Sequence, residues 1–234
     1  MLELVSLNTI TTDLLNIIRA SKISRSESIS KIQLEMWVHQ YRAMLLKQDL
    51  DKGKMPNPDY IQDIPALELE VVDQSEGTDL SSNSYILRTV LELPKTVDLN
   101  FKPGFMYIGT IDGREIQLIP EGRSKWQQYK KYTSFDYVCF LRSKKLYILA
   151  PAPIKYLTVR GVFEIPTEVG NFSNTHADFT YSLWDTQYPI PINMIPILKE
   201  MILKKELGIT VQSYSDTTND SASVVQPNVE GVKK

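Results

Sequence analysis

The residues that do chemistry near neutral pH are sparse: two histidines, His39 and His176, and one cysteine, Cys139. His39 falls inside a helical pattern, where a helix-surface or interface histidine accounts for it. Cys139 alternates with Val138 and Phe140, as a packed thiol on a strand does. The chain has no HExxH, CxxC, GxSxG or Walker-type loop, the patterns that hold a metal, a thiol pair or a phosphate at defined spacing. Carboxylate pairs exist at Glu68 with Glu70 and at Asp49 with Asp51. On a strand, Glu68 and Glu70 share one face and could serve as acid and base, but their alternation with leucines fits a solvated sheet face better. The residue types predict no catalytic constellation, no metal site and no cofactor.

The densest chemistry is an aromatic and basic strip. Arg123, Lys125, Lys130 and Lys131 interleave with Trp126, Tyr129 and Tyr132. Cations there could meet phosphates while the rings stack on bases. The same composition favours a contact between proteins. The strip covers about ten residues of a chain with 26 basic and 28 acidic side chains and a formal charge of −2, which lacks the positive excess of a protein that coats nucleic acid. A protein contact is the preferred reading, and a small nucleic-acid-binding β-barrel with helical extensions is the alternative. Lone Cys139 allows no internal disulfide, and Met1 to Ala20 carries Glu3 and Asp13 where a signal peptide needs an unbroken apolar run. No apolar stretch of about 20 residues is present, so the expectation is a soluble protein in a reducing compartment with no membrane contact.

The elements that must position the strip follow from periodicity. Thr9 to Ala20 reads as a short helix capped by Thr9, Thr11 or Thr12. A longer helix follows, with Ile29, Ile32, Met36, Trp37, Tyr41, Met44 and Leu45 at steps of three and four, a cap at Ser28 or Ser30, and an end at Gly53. Trp37, Tyr41 and Met44 are its candidate core residues. Met55 to Pro65 reads as a connector. Strands are then expected at Leu67 to Val71, Ile86 to Leu93, Phe105 to Ile111, Glu115 to Ile119, Phe135 to Leu141, Leu146 to Ala150 and Tyr156 to Glu164. Asp112-Gly113 marks a two-residue hairpin turn, and Arg142 to Lys145 a longer one. Strands without intervening helices predict antiparallel pairing, because parallel pairs need long crossovers. Ile192 to Leu207 closes the pattern as a helix with Pro196 in its first turn.

The expected class is therefore α+β: a helical layer from two N-terminal helices and a C-terminal one, with an inserted antiparallel sheet or small barrel. Its expected divisions are residues 1–58 helical, 59–166 β, 167–211 a loop and C-terminal helix packed on the N-terminal helices, and 212–234 a polar tail. The tail has few anchors, among them Tyr214, Val224 and Val225, and cannot bury enough apolar surface to fold alone. It is expected to order against a partner.

Trp37-Val38-His39-Gln40-Tyr41-Arg42-Ala43, Tyr60-Ile61-Gln62-Asp63, Leu67-Glu68-Leu69-Glu70-Val71-Val72-Asp73 and Leu87-Arg88-Thr89-Val90-Leu91-Glu92-Leu93-Pro94 follow one another along the chain. The order continues through Tyr107-Ile108-Gly109-Thr110-Ile111-Asp112, Val159-Arg160-Gly161-Val162-Phe163-Glu164 and Tyr188-Pro189-Ile190. Taken in this order, these stretches resemble the head-to-tail connector ring proteins of crAss-like short-tailed bacteriophages. The resemblance implies a virion structural protein rather than an enzyme. It implies a homo-oligomeric ring of twelve subunits stacked between portal protein and a neighbouring ring or tail protein, assembled in the host cytoplasm. It also implies that genomic DNA passes through the lumen without specific binding. Ring closure needs two unlike patches per subunit. The strip at Lys125, Trp126, Tyr129 and Tyr132, and the tail anchors, are the candidates for such contacts.

Overall fold

The computed structural model describes residues 5–20, 29–72, 85–100, 102–130, 132, 136–172 and 186–208. Helix α1 (Leu7–Ala20) starts at Ser6, whose hydroxyl accepts the Thr9 N–H at 3.1 Å and whose carbonyl accepts that of Ile10. The cap therefore precedes the three threonines expected to supply it. Helix α2 (Lys31–Asp51) is capped by Ser30, which accepts from the Gln33 N–H, and is followed by Gly53 at φ +72°, a conformation that costs a residue without Cβ little. Two short helices, α3 (Glu121–Ser124) and α4 (Pro166–Gly170), come next, and helix α5 (Ile195–Glu206) has Pro196 in its first turn and follows a short 3-10 turn, Ile192–Met194. No described helix is long and apolar enough to cross a membrane.

The face that α2 buries differs from the one its apolar spacing suggested. Leu34, Val38, His39, Tyr41, Arg42 and Leu46 are buried, whereas Ile32 and Met36 are 69% and 56% exposed. Apolar residues lie all round this helix, so hydrophobicity alone does not choose a side. The inward side was hidden by two polar residues, His39 and Arg42, that find their partners inside. Trp37 and Met44 are half-buried against the helical core, and Tyr41 is buried in it. That core joins Leu7, Ile10, Leu14 and Ile18 of α1 to Leu34 and Val38 of α2 and to Leu198, Ile202 and Leu203 of α5. Two bonds hold α5 at the rim: Lys199 donates to Asp13 at 2.7 Å, and the Tyr41 hydroxyl donates to Glu206 at 2.6 Å.

Seven strands form one mostly antiparallel sheet: β1 (Gln62–Val71), β2 (Tyr85–Thr89), β3 (Phe105–Thr110), β4 (Gln117–Leu118), β5 (Val138–Arg142), β6 (Lys145–Ala150) and β7 (Tyr156–Gly161). Their order is β3-β7-β1-β2-β6-β5-β4. The two ends meet: Gly109 of β3 bridges Glu115, just before β4, so the sheet curls into a nearly closed barrel. Its interior holds Ile64, Leu67, Leu87, Ile108, Cys139, Ile148, Leu157 and Val159. β1 begins earlier than alternation suggested and carries Pro65 where its register against β7 shifts between Ile64 and Leu67, a place where a missing N–H does no harm. β2 and β7 stop short of their expected ends, at Thr89 and Gly161.

Two turns explain the remaining differences. The β5–β6 hairpin, expected to be long, has only Ser143 and Lys144 between its strands, at φ 49° and 62°. That twin left-handed geometry suits a right-twisted hairpin, though neither residue type advertises it. The Lys144 carbonyl accepts the Leu93 N–H at 2.8 Å, which helps hold the turn in place. The Asp112-Gly113 turn does form, with Gly113 at φ +85°, but its second arm leaves β3 after Ile116 and pairs parallel to β5. The expectation of antiparallel pairing throughout thus fails at one pair, because residues 119–137 supply the long crossover that such a pair requires.

Helices and barrel meet at Arg42, which has no exposure to water. Its Nε donates to the Pro189 carbonyl at 2.7 Å and its Nη1 to the Phe163 carbonyl at 2.8 Å, with the guanidinium carbon 5.6 Å from the Tyr188 ring centre. Phe163 belongs to the barrel core and Tyr188 to the helical core. Below it, Leu46, Tyr60, Val97 and Val162 form a third cluster between α2 and the barrel's end. Arg42→Ala should therefore destabilise the chain by about 3–5 kcal/mol, leaving two carbonyls unpaired and a void. A urea titration checks it, and a loss under about 1 kcal/mol contradicts the joint. The turn gives a second expectation: Ser143→Asn with Lys144→Gly should raise the urea midpoint, by about 0.5–1 kcal/mol of stability, through relief of the left-handed geometry.

Candidate assembly surface

The aromatic and basic strip is the crossover between β4 and β5. After Pro120 the chain makes the short helix α3 (Glu121–Ser124) and then a 3-10 turn, Gln127–Tyr129. α3 is tied to the strand beneath it where Arg142 Nε donates to Glu121 Oε1 at 2.6 Å. Ser124 Oγ turns inward and donates to the Glu121 carbonyl at 2.7 Å. Between Glu121 and Lys130, the buried residues among those described are Ser124 and Gln127, whereas Trp126, Tyr129 and, further on, Tyr132 are 67%, 74% and 84% exposed. The usual arrangement is inverted, with hydroxyl and amide inside and rings outside. The Trp126 and Tyr129 rings lie 6.0 Å apart, tilted by 52°, and Lys125 and Lys130 are exposed beside them.

The outer face of β5 and β6 carries a separate small core, Val138, Phe140, Leu149 and Ile119, with Phe140 stacked on Tyr147 at 5.4 Å. The crossover's rings are not used there. Seen round the barrel, the wall opposite β5 is the β7–β1 pair. Its outward residues include Tyr156 and Glu68, paired across the strands, and Asp63 with Arg160 at 3.3 Å.

The other sequence candidates separate in space. Cys139 lies in the barrel interior with no exposure, and burial pushes its thiol up to about 12. Glu70 bonds to Arg88, which holds its carboxyl below the usual range, while Glu68 is exposed on the same strand. Asp49 pairs with Lys54 at 3.0 Å, and Asp51 accepts the Asn100 N–H. Among the described residues no three His, Cys, Asp or Glu side chains converge on a metal position. His176, Tyr214, Val224 and Val225 lie outside the described residues.

His39 is not on the helix surface. It is buried, and its Nδ1 shares a 2.8 Å hydrogen bond with the Tyr188 hydroxyl. Glu35 lies 3.8 Å from Nε2, which favours the proton on that nitrogen, so Tyr188 donates to Nδ1. Burial, with Arg42 nearby, lowers the imidazole to about 4, so it is neutral at physiological pH. Burial raises Tyr188 well above the ordinary phenol value, keeping it a donor. Reading by residue type missed Arg42 and Tyr188 as organising residues. The signal available was an arginine and a histidine, both on a helix with no clear polar side.

A family described as phage tail ring protein 2 matches residues 9–228. Comparison with curated proteins finds no match.

The His39 geometry fixes a pH response. In the unfolded chain the imidazole titrates near its ordinary 6.5, and in the folded chain near 4. The unfolded state therefore binds more protons between those values, and the stability contributed by neutral His39 is present above pH 6.5 and lost as pH falls towards 4. Lowering the pH from 7 to 5 should remove roughly 2 kcal/mol. Denaturant titrations at the two pH values measure it. His39→Gln, which still accepts from Tyr188, should flatten the dependence; an unchanged slope contradicts the assignment.

Proposed function

The chain belongs to the crAss-like phage tail ring protein 2 family, a structural ring component of the virion, and from that premise we propose that identical copies close a ring between the portal protein and the tail. The ring is expected to hold twelve copies. It works by contact rather than by catalysis, and the near-balanced charge, 26 basic against 28 acidic residues, suits a lumen through which DNA slides without being gripped.

The observation that carries the reading is the inverted crossover. An element that buries Ser124 and Gln127 while exposing Trp126, Tyr129 and Tyr132 supports a contact made outside the subunit. Trp and Tyr are enriched among the residues that dominate protein contacts. Ring closure by a heterologous contact needs a second, unlike patch, and the β7–β1 wall, which strand order puts on the far side of the barrel, is the candidate for it. In this reading residues 59–166 form the wall between copies, while 1–58 and 167–211 clamp one end of the barrel. α3 stays tied to Arg142 and the joint to Arg42, so the strip is presented on a fixed frame.

Trp126→Ala with Tyr129→Ala should abolish or strongly weaken assembly, read by native mass spectrometry across a concentration series with and without portal protein. Both side chains are exposed, so the thermal transition of the subunit should stay where it is. Normal rings from the double variant overturn the contact. Normal rings together with lost salt-dependent retention of single-stranded oligonucleotide would instead favour the nucleic-acid reading.

A further inference from the structure

The seam that closes the barrel is only half joined. Thr110 N–H donates to the Arg114 carbonyl and Ile116 N–H to the Ile108 carbonyl, at 2.9 and 2.8 Å. Past that point Gln117–Leu118 turns away to β5, and among the described residues no backbone bond joins Phe105–Tyr107 to residues 117–119. Ile119 N–H donates to the Cys139 carbonyl at 2.8 Å, so strand alternation turns the N–H and C=O of Leu118 the opposite way, into the gap. The gap opens on a cleft of about 480 Å³ with Leu99, Pro103, Leu118, Ile119, Pro120 and Leu141 in its walls. It thus presents an apolar floor rimmed by Asp98, Lys102 and Glu121 and, among the described residues, a strand edge with no backbone bond across it, the kind of edge an added strand can pair with.

We propose that this cleft takes the chain's own C-terminal segment, residues 222–226, as an added strand. The segment Ala222-Ser223-Val224-Val225-Gln226 is uncharged and β-branched at its centre, and Pro227 ends it, which fits an extended piece laid along an edge between apolar walls. The family match runs past α5 to residue 228, so this stretch belongs to the shared pattern. The described chain leaves α5 through Gly208 at φ +65°, and α5 ends where Glu206 meets Tyr41 of α2. The cleft lies towards the other end of α2, where Asp51 holds Asn100 beside Leu99. Ten helical residues separate Tyr41 from Asp51, about 15 Å. Sixteen extended residues from Gly208 to Val224 span about 50 Å. The copy that owns the tail can therefore reach its own cleft with slack, at the high effective concentration of a tether.

Cysteine pairing in the full chain tests this, since buried Cys139 does not compete. Lys102→Cys places a thiol on the exposed side of the cleft, and Val225→Cys one on the segment. The control pair is Glu68→Cys, on the β1 wall, with Val225→Cys. Under mild oxidation in dilute protein, the 102–225 disulfide should form within one chain about tenfold faster than the 68–225 disulfide. Equal rates overturn the proposal. A link between chains overturns the assignment to the same copy and gives the cleft to a neighbour's tail. Hydrogen exchange on the unmodified protein gives a second reading: the amides of 222–226 should exchange more slowly than those of 212–218, and free exchange in both overturns it.

Discussion

Arg42 carries a positive charge to a position with no solvent exposure, and the arrangement of helices on barrel depends on how that charge is held. Among the described residues no carboxylate meets it. It is held by two backbone carbonyls from distant parts of the chain, Pro189 and Phe163, and by the face of Tyr188. Burial pulls its pKa below the ordinary arginine value, though arginine still keeps its proton. A rigid fork of donors suits this task, because Nε and Nη1 of one fixed plane reach two carbonyls from distant parts of the chain. Tyr188 then passes the constraint to His39, whose neutral ring accepts the phenol proton. The helical core and the barrel core are thus fastened through one side chain, and three stretches that carried the family resemblance converge there: 37–43, 159–164 and 188–190.

The barrel's closure produces the exposed aromatic strip. β4 is only two residues long and is shared between two neighbours, its lead-in bonded to β3 and its body to β5. Because the β5 pairing is parallel, the chain must cross over outside the sheet before returning, and that crossover is the aromatic strip. The same divergence leaves the seam open at Leu118. One topological choice therefore accounts for both the exposed rings and the cleft beside them.

Much of this was readable from residue types, and the failures have physical causes. Ser30 and Gly53 bracket α2 as their chemistry requires, and Pro196 sits in the first turn of α5. The strip stood out by composition because Trp and Tyr crowded with Lys match neither a strand nor a helix period. Its placement was not readable, since a two-residue strand leaves no periodic trace and so conceals the parallel pair. The face of α2 was misjudged because buried Arg42 and His39 look like surface residues until their partners, more than a hundred residues away, are brought to them. Ser143 and Lys144 adopt left-handed backbone without the Asn-Gly signature, helped by a bond from Leu93 that no local pattern shows.

In the proposed ring the crossover's rings are covered by another subunit of the virion. Hydroxyl-radical footprinting of intact particles against the free subunit reads this side chain by side chain. Strong protection of Trp126, Tyr129 and Tyr132 is expected on assembly, with exposed Met55, remote from the strip in sequence and 92% accessible in the subunit, as the internal reference for labelling. Equal labelling of the three rings in particle and free subunit would contradict it.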